Sequence, residues 1–136
     1  MKKKILLLVL GLFLIGWGST HAMAQEPLKK GVIAATTYVQ VQPFIGKTPM
    51  LLEFGSTSCA SCVEMGKLLY KVKQEYPNSA IYFIDVFNDQ AATGNYKIQM
   101  IPTQIYLTKE GLEVDRHMGL VSYEQLVAKL KAQKII

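Results

Sequence analysis

The sequence Ser58-Cys59-Ala60-Ser61-Cys62 lies between the apolar run Met50 to Phe54 and the segment Val63 to Tyr76, whose pattern predicts a helix. Its two cysteines are the only ones in the 136 residues. Where a strand turns into a helix, this spacing lets the two sulfurs form a disulfide without a large backbone movement, because the first helical turn brings their Cβ atoms together. The spacing therefore predicts a redox switch.

The two cysteines are expected to differ in reactivity. The free N–H groups and the positive dipole end of the helix favour a thiolate at Cys59, whereas Cys62 lies one turn deeper. We predict that Cys59 attacks a partner and that Cys62 resolves the mixed disulfide. A purely structural bridge is the alternative, but closing so short a loop constrains the unfolded chain very little.

The amino terminus has the three parts of a secretory signal. Lys2 to Lys4 are basic, Ile5 to Trp17 is an apolar run of 13 residues, and Ala22-Met23-Ala24 fits a cleavage site. Cleavage would leave a chain beginning at Gln25, in the periplasm or another extracytoplasmic compartment. Membrane anchoring is the alternative, although the run is shorter than the about 20 residues that cross a bilayer.

Size and charge exclude several classes of protein. Removal of residues 1–24 leaves 112 of 136 residues, enough for one domain, with a lead-in at 25–47 and a core at 48–136. The formal charge of +5 includes three lysines of the signal, so the remainder carries 12 basic and 10 acidic residues, a net charge of +2. This mild charge does not favour binding to nucleic acid.

The pattern of apolar residues predicts alternating helices and strands. In the lead-in, Tyr38, Val41 and Ile45 share a helical face, which predicts a short helix. The run Met50 to Phe54 is apolar on both faces except at Glu53, as in a central strand. Further elements are predicted after it, namely a helix at 63–76, a strand at 80–86, a short capped helix at 90–96, two antiparallel strands at 103–107 and 112–118, and a last helix after the capping box Ser122/Gln125.

This order of elements resembles the thioredoxin family: a central strand, Cys-x-x-Cys at a helix start, a second strand, Ile-Pro-Thr at 101–103, a hairpin with a glycine at its turn, and a terminal helix. The resemblance covers residues 48–131. It implies a single α/β domain of thioredoxin-like fold, with a central mixed β-sheet flanked by helices. With its signal, the chain is similar to the exported branch of that family.

The resemblance also assigns roles to residues around the cysteines. Pro102 matches the family's cis-proline, which faces the disulfide and leaves the backbone of Ile101 free to pair with an extended substrate. The alternative is a proline that merely begins an edge strand. Ser58, Ala60 and Ser61 would complete the surface that contacts substrate, and they replace the aromatic residue and the Gly-Pro or Pro-His dipeptide common in the family.

Glu53 lies six residues before the first cysteine, where the family often carries a buried acid that exchanges a proton with the second cysteine. Cys62 must lose its proton to act as a nucleophile, and a desolvated carboxylate with a raised pKa could accept that proton. The alternative is a strand glutamate whose carboxylate reaches solvent.

These observations predict a thiol–disulfide oxidoreductase with Cys59, Cys62 and Glu53 as catalytic residues and no cofactor beyond the disulfide. The expected partners are proteins with thiols or disulfides and a membrane electron donor or acceptor, and we expect a monomer. Many small exported thioredoxin-like proteins are kept reduced for cytochrome c maturation or disulfide repair, and the resemblance implies the same reducing direction here.

A metal-binding or metallochaperone module is the alternative from another class. Soft metals accept thiolates, and Met65 or Met118 could add a thioether. A zinc site, however, requires about four ligands, and the only histidine after residue 24 is His117, which we expect on the surface of the last strand. No metal site is predicted.

Overall fold

A four-stranded mixed sheet forms the centre of the computed structural model, which describes residues 31–136. Its strands are β1 (Met50–Gly55), β2 (Ile81–Asp85), β3 (Thr103–Leu107) and β4 (Glu113–Met118). Their spatial order is β2-β1-β3-β4. β1 is parallel to β2 and antiparallel to β3, and β3 is antiparallel to β4. The predicted α/β architecture with a mixed sheet is confirmed, whereas the predicted signal at 1–24 lies outside the described residues.

Four α-helices accompany the sheet within residues 31–136. They are α1 (Tyr38–Val41), which continues into a single 3₁₀ turn, α2 (Ala60–Glu75), α3 (Gln90–Asn95) and α4 (Tyr123–Ala132). The predicted capping box is present, since Ser122 Oγ accepts from the Gln125 amide at 3.2 Å and Gln125 Oε1 accepts from the Ser122 amide at 3.0 Å. No helix in this part of the chain is long and apolar enough to cross a membrane.

Successive residues of β1 point to opposite sides of the sheet, so the strand divides the core in two. Every residue of β1 is buried, which confirms its prediction as a central strand. We call the two sides the α2/α4 face and the α1/α3 face. The core of the α2/α4 face includes Leu51, Met65, Leu69, Tyr106, Leu126 and Leu130. The core of the α1/α3 face consists of Val41, Met50, Leu52, Phe54, Ile84, Ala92, Ile105 and Leu107.

The strand register brings four chain segments to one edge of the sheet. Gly55 at the end of β1 is opposite Asp85 at the end of β2. Phe54 is opposite Thr103 at the start of β3, and Thr103 is opposite Met118 at the end of β4. The segments that follow β1, β2 and β4 and the segment that precedes β3 therefore lie at the same edge. The two cysteines belong to the first of these segments.

Candidate active site

The two sulfurs lie at the start of α2 and differ in exposure. Cys59 is the N-cap residue, with the extended backbone (φ −98°, ψ 119°) that helix caps adopt. Its Sγ accepts a hydrogen bond from the Cys62 amide at 3.3 Å, so a thiol group occupies the place usually taken by a capping oxygen. Cys59 is partly exposed, whereas Cys62 is only 1% exposed. A partner can therefore reach Cys59 before Cys62.

The surroundings of the two sulfurs shift their pKa values in opposite directions. Burial would raise the pKa of Cys59, but hydrogen bonds from Cys62 and Ser61 outweigh burial and lower the pKa. The Ser61 hydroxyl lies 3.3 Å from the Cys59 sulfur. Burial raises the pKa of Cys62 to about 12, and the hydrogen bond to Cys59 and the charge of Glu53 add to this effect. The exposed sulfur thus loses its proton more readily than an ordinary cysteine, whereas the buried sulfur keeps its proton.

Glu53 is completely buried in the middle of β1, so the alternative of a carboxylate that reaches solvent is wrong. Gln104, also fully buried, is directly opposite on β3, and its Nε2 donates a hydrogen bond to Glu53 Oε2 at 2.9 Å. Burial raises the pKa of Glu53 well above its usual value, and the hydrogen bond from Gln104 opposes this change. Gln104 is not among the predicted site residues, although a glutamine inside the predicted strand 103–107 was an available signal.

Gly55 explains how Cys62 packs against the strand that carries Glu53. The two strand residues are two positions apart, so they lie on the same face of the sheet. A Cβ atom on Gly55 would lie 3.2 Å from the Cys62 Cβ and 2.9 Å from the ring of Phe83. Only glycine allows this close approach without displacing a neighbour. The absence of a side chain at position 55 therefore allows Cys62 to pack against the face of the sheet that carries Glu53.

The segment before β3 lies at the same edge of the sheet as the cysteines. The Ile101–Pro102 peptide bond is cis. Pro102 O accepts a hydrogen bond from the Gly119 amide at 2.7 Å, which joins this segment to the one after β4. Within residues 31–136, the backbone groups of Ile101 make no hydrogen bond. They are therefore free to pair with another chain.

The remaining predicted surface residues differ in what they contact. The Ser58 hydroxyl lies 2.9 Å from the Ser56 hydroxyl and makes no hydrogen bond with sulfur, whereas the Ser61 hydroxyl does. Ala60 is exposed. Several large apolar side chains at this edge are also exposed and were not predicted to form a surface: Phe87 (66%), Met100 (50%), Met118 (54%) and Leu120 (49%).

The residues considered for a metal site do not converge. Met65 is fully buried in the core of the α2/α4 face, and Met118 is exposed on β4. His117 is half-buried and lies opposite Gln104 in the sheet. Among residues 31–136, no group of three or more His, Cys, Asp or Glu side chains could hold a metal ion.

A mixed sheet with a helix-initial pair of thiols, one exposed and one buried, defines a protein of the thioredoxin fold class. The family model for thioredoxin matches residues 33–132, and the chain belongs to the thioredoxin family. With Cys59 and Cys62 in the Cys-x-x-Cys positions, it is a thiol–disulfide oxidoreductase.

Solved structures show the same fold. Fasciola hepatica thioredoxin is 22% identical, with a TM-score of 0.63, over 71% of this chain and 94% of its own. A chain from work on the thiol resolving mechanism of yeast mitochondrial 1-Cys peroxiredoxin via glutathione/thioredoxin systems is 18% identical, with a TM-score of 0.60, over 73% of this chain and 92% of its own. No curated protein sequence matches significantly.

Proposed function

We propose that the protein is exported and exchanges its Cys59–Cys62 dithiol or disulfide with partner proteins, as a reductant. The observation that carries this proposal is the unequal pair of sulfurs. Cys59 is accessible and its pKa is lowered, whereas Cys62 is buried and its pKa is raised to about 12. Cys59 is therefore suited to attack the substrate disulfide, and Cys62 is suited to react only after the mixed disulfide has formed.

The reaction proceeds in two exchanges. The Cys59 thiolate attacks a substrate disulfide, and one substrate sulfur leaves as a thiolate. Cys62 then transfers its proton to Glu53 and attacks the Cys59 sulfur, which releases the second substrate sulfur and leaves the enzyme oxidised. The role of Glu53 is supported by its burial on the face that Cys62 covers and by its raised pKa. A membrane electron donor returns two electrons, and no further cofactor takes part.

The substrate binds in an extended form along the segment before β3. The free backbone groups of Ile101 pair with it, and Pro102, Ser58, Ala60 and Ser61 provide the adjoining surface. The exposed apolar side chains at the same edge support this arrangement, because they allow a partner to bury apolar area around the attacking sulfur.

Export and physiological role rest on the sequence. Residues 1–24 act as the signal, and the mature monomer begins at Gln25 outside the cytoplasm. The reducing direction, in cytochrome c maturation or disulfide repair, comes from the resemblance to small exported thioredoxin-like proteins. The hydrogen bonds that favour the Cys59 thiolate stabilise the reduced form, which by itself makes the protein a weaker reductant. The equilibrium constant with glutathione therefore tests the reducing direction independently of the resemblance.

The test is to trap the partner. A Cys62→Ser variant, expressed with its own signal in a bacterial host, is expected to accumulate mixed disulfides through Cys59, because the resolving step is removed. Non-reducing electrophoresis and mass spectrometry identify the partners and the first residue of the mature chain.

A variant with both cysteines replaced by serine is the matched control and should trap nothing. The absence of any adduct that dithiothreitol releases would contradict the proposed exchange. Trapped proteins of the cytoplasm on an unprocessed chain would contradict export alone.

A further inference from the structure

Gln104 is a fully buried polar side chain for which the reaction above provides no role. It lies directly opposite Glu53 across the β1/β3 ladder, and 51 residues separate the two along the chain. A buried glutamine in a strand whose five residues are all buried is costly unless its amide is hydrogen-bonded. Its bond to the Glu53 carboxylate, at 2.9 Å, is the one side-chain hydrogen bond that it makes within residues 31–136.

This hydrogen bond distinguishes the two oxygens of Glu53. Oε2 accepts from Gln104, whereas Oε1 is buried without a partner among the described residues. The amide N–H of Gln104 stabilises Oε2 as a carboxylate oxygen that accepts its hydrogen bond. It does not stabilise a proton on Oε2, because two donor hydrogens would then face each other. The free oxygen is therefore the one that can gain and lose a proton while the other stays fixed.

The side chain that carries this free oxygen lies on the face of the sheet that Cys62 covers. Glu53 and Gly55 face the same side of the sheet, and the Cys62 Cβ packs directly over Gly55. The charge of Glu53 also acts on the thiol of Cys62. A carboxylate that could rotate freely in this core would present either oxygen, and the hydrogen bond from β3 removes that freedom.

We infer that Gln104 is a positioning residue, whose amide holds one oxygen of Glu53 and leaves the other to exchange a proton with Cys62. The inference rests on the proposed role of Glu53. In the resolving step, the proton passes from the Cys62 sulfur to Glu53, and the new bond joins the Cys62 and Cys59 sulfurs. The bond from Cys59 to the substrate breaks, and its electron pair leaves with the substrate thiolate. When the enzyme is reduced again, Glu53 returns the proton to the departing Cys62 sulfur.

The experiment separates the two exchanges in time. Reduced protein is mixed in a stopped-flow instrument with the aromatic disulfide dithiobis(nitrobenzoate), which releases one coloured thiolate when Cys59 attacks and a second when Cys62 resolves. The rate of the second phase should rise with pH as Glu53 becomes a carboxylate. Gln104→Met keeps the length of the side chain and removes the N–H donor.

We expect Gln104→Met to move the midpoint of the second phase to higher pH by about one pH unit, because a hydrogen bond to a charged group contributes about a factor of ten. Below both midpoints the second phase should be roughly tenfold slower, and the first phase should be unchanged. Ile105→Val, at the next position of β3 and on the opposite face of the sheet, is the matched control for mere destabilisation. It should leave both phases unchanged.

Variants of Glu53 distinguish the failure of this inference from the failure of the proposed reaction. If Glu53→Gln abolishes the pH dependence of the second phase but Gln104→Met leaves the midpoint unmoved, the inference is overturned and the role of Glu53 stands. If Glu53→Gln retains the midpoint, both the inference about Gln104 and the proposed role of Glu53 are overturned. Adding Gln104→Met to Glu53→Gln should cause no further change, since Gln104 acts through Glu53.

A second substitution covers the case in which Gln104→Met does not fold. Gln104→Glu preserves the size of the side chain and places a second carboxyl group beside Glu53, so that the two compete for one proton. The midpoint of the second phase is then expected at higher pH than in the unaltered protein. A midpoint at the same or lower pH would overturn the inference.

Discussion

The two faces of the sheet are built from alternate residues of the same strands, yet they differ in chemistry. The core of the α1/α3 face is entirely apolar. On the α2/α4 face, β1 and β3 contribute the side chains of Glu53, Gln104 and Tyr106, each of which has a buried oxygen without a partner among residues 31–136. Such groups cost free energy when they are buried. Both faces contribute apolar core residues, but only the α2/α4 face carries this cost, which the proposed role of Glu53 would explain.

The helices explain why the polar groups lie on this face. The helix α2 carries Cys59 at its N-cap and covers the α2/α4 face with Cys62, Met65, Leu69 and Val72. The proposed proton acceptor for Cys62 therefore has to lie on that face, where Glu53 of β1 is found. The opposite face carries no cysteine, and its fully buried core residues are all apolar.

The largest expected effect is on stability, from a substitution in the core of the α1/α3 face. Leu52→Ala should lower the free energy of unfolding by about 2 to 5 kcal/mol, because Leu52 is fully buried and its truncation leaves a cavity. The loss should be the same at pH 5 and pH 8, since the core of this face contains no carboxyl group. Urea denaturation of the reduced protein at both pH values measures it. A loss that depends strongly on pH would break the distinction between the two faces.

On the α2/α4 face, removal of a buried carboxyl group should raise the free energy of unfolding instead of lowering it. Because the pKa of Glu53 is raised, the folded state binds a proton that the unfolded state has already lost, so stability falls as pH rises from the ordinary carboxyl pKa to the raised one. Glu53→Gln removes this loss and should stabilise the protein at pH 8. The gain is about 1.4 kcal/mol for each pH unit by which the pKa is raised.

The gain should disappear below about pH 3, where the carboxyl group is protonated in both states. Urea denaturation across the pH range measures it, and the exposed Glu64→Gln is the matched control, which should show no comparable gain. A Glu53→Gln protein that is less stable at pH 8 would show that the buried carboxylate contributes to the fold instead of costing stability.

The smallest expected effect is on the reactivity of the exposed Cys59 thiol. Ser61→Ala removes one hydrogen bond to the Cys59 sulfur and should raise the pKa of that thiol, so alkylation by iodoacetamide below the pKa slows by roughly tenfold at most. Ser58→Ala is the control, since its hydroxyl is hydrogen-bonded to Ser56 and not to sulfur. Equal slowing in both variants would indicate a general change at the start of α2.

Much of the cysteine site could be predicted from the sequence because its contacts are local. The bond from the Cys62 amide to the Cys59 sulfur joins residues three positions apart, and the cap and first turn of a helix follow from local signals. The strands β1 and β3 were also predictable, because each is a short segment rich in apolar or β-branched residues and bounded by turn signals. The burial of Glu53 followed from its place within such a segment.

The partner of Glu53 could not be found in the same way. A glutamine in an apolar strand is visible in the sequence, but nothing local indicates which residue of which strand it faces.

The sequence by itself determined which sulfur caps the helix and which lies inside it, since a Cys-x-x-Cys spacing at a helix start depends on backbone geometry over one turn. Only the tertiary structure decided that Gln104 faces Glu53 and that the end of β1, the start of β3 and the end of β4 share one edge with the thiols. Those relations depend on strand order and register, which long-range packing of the whole core selects.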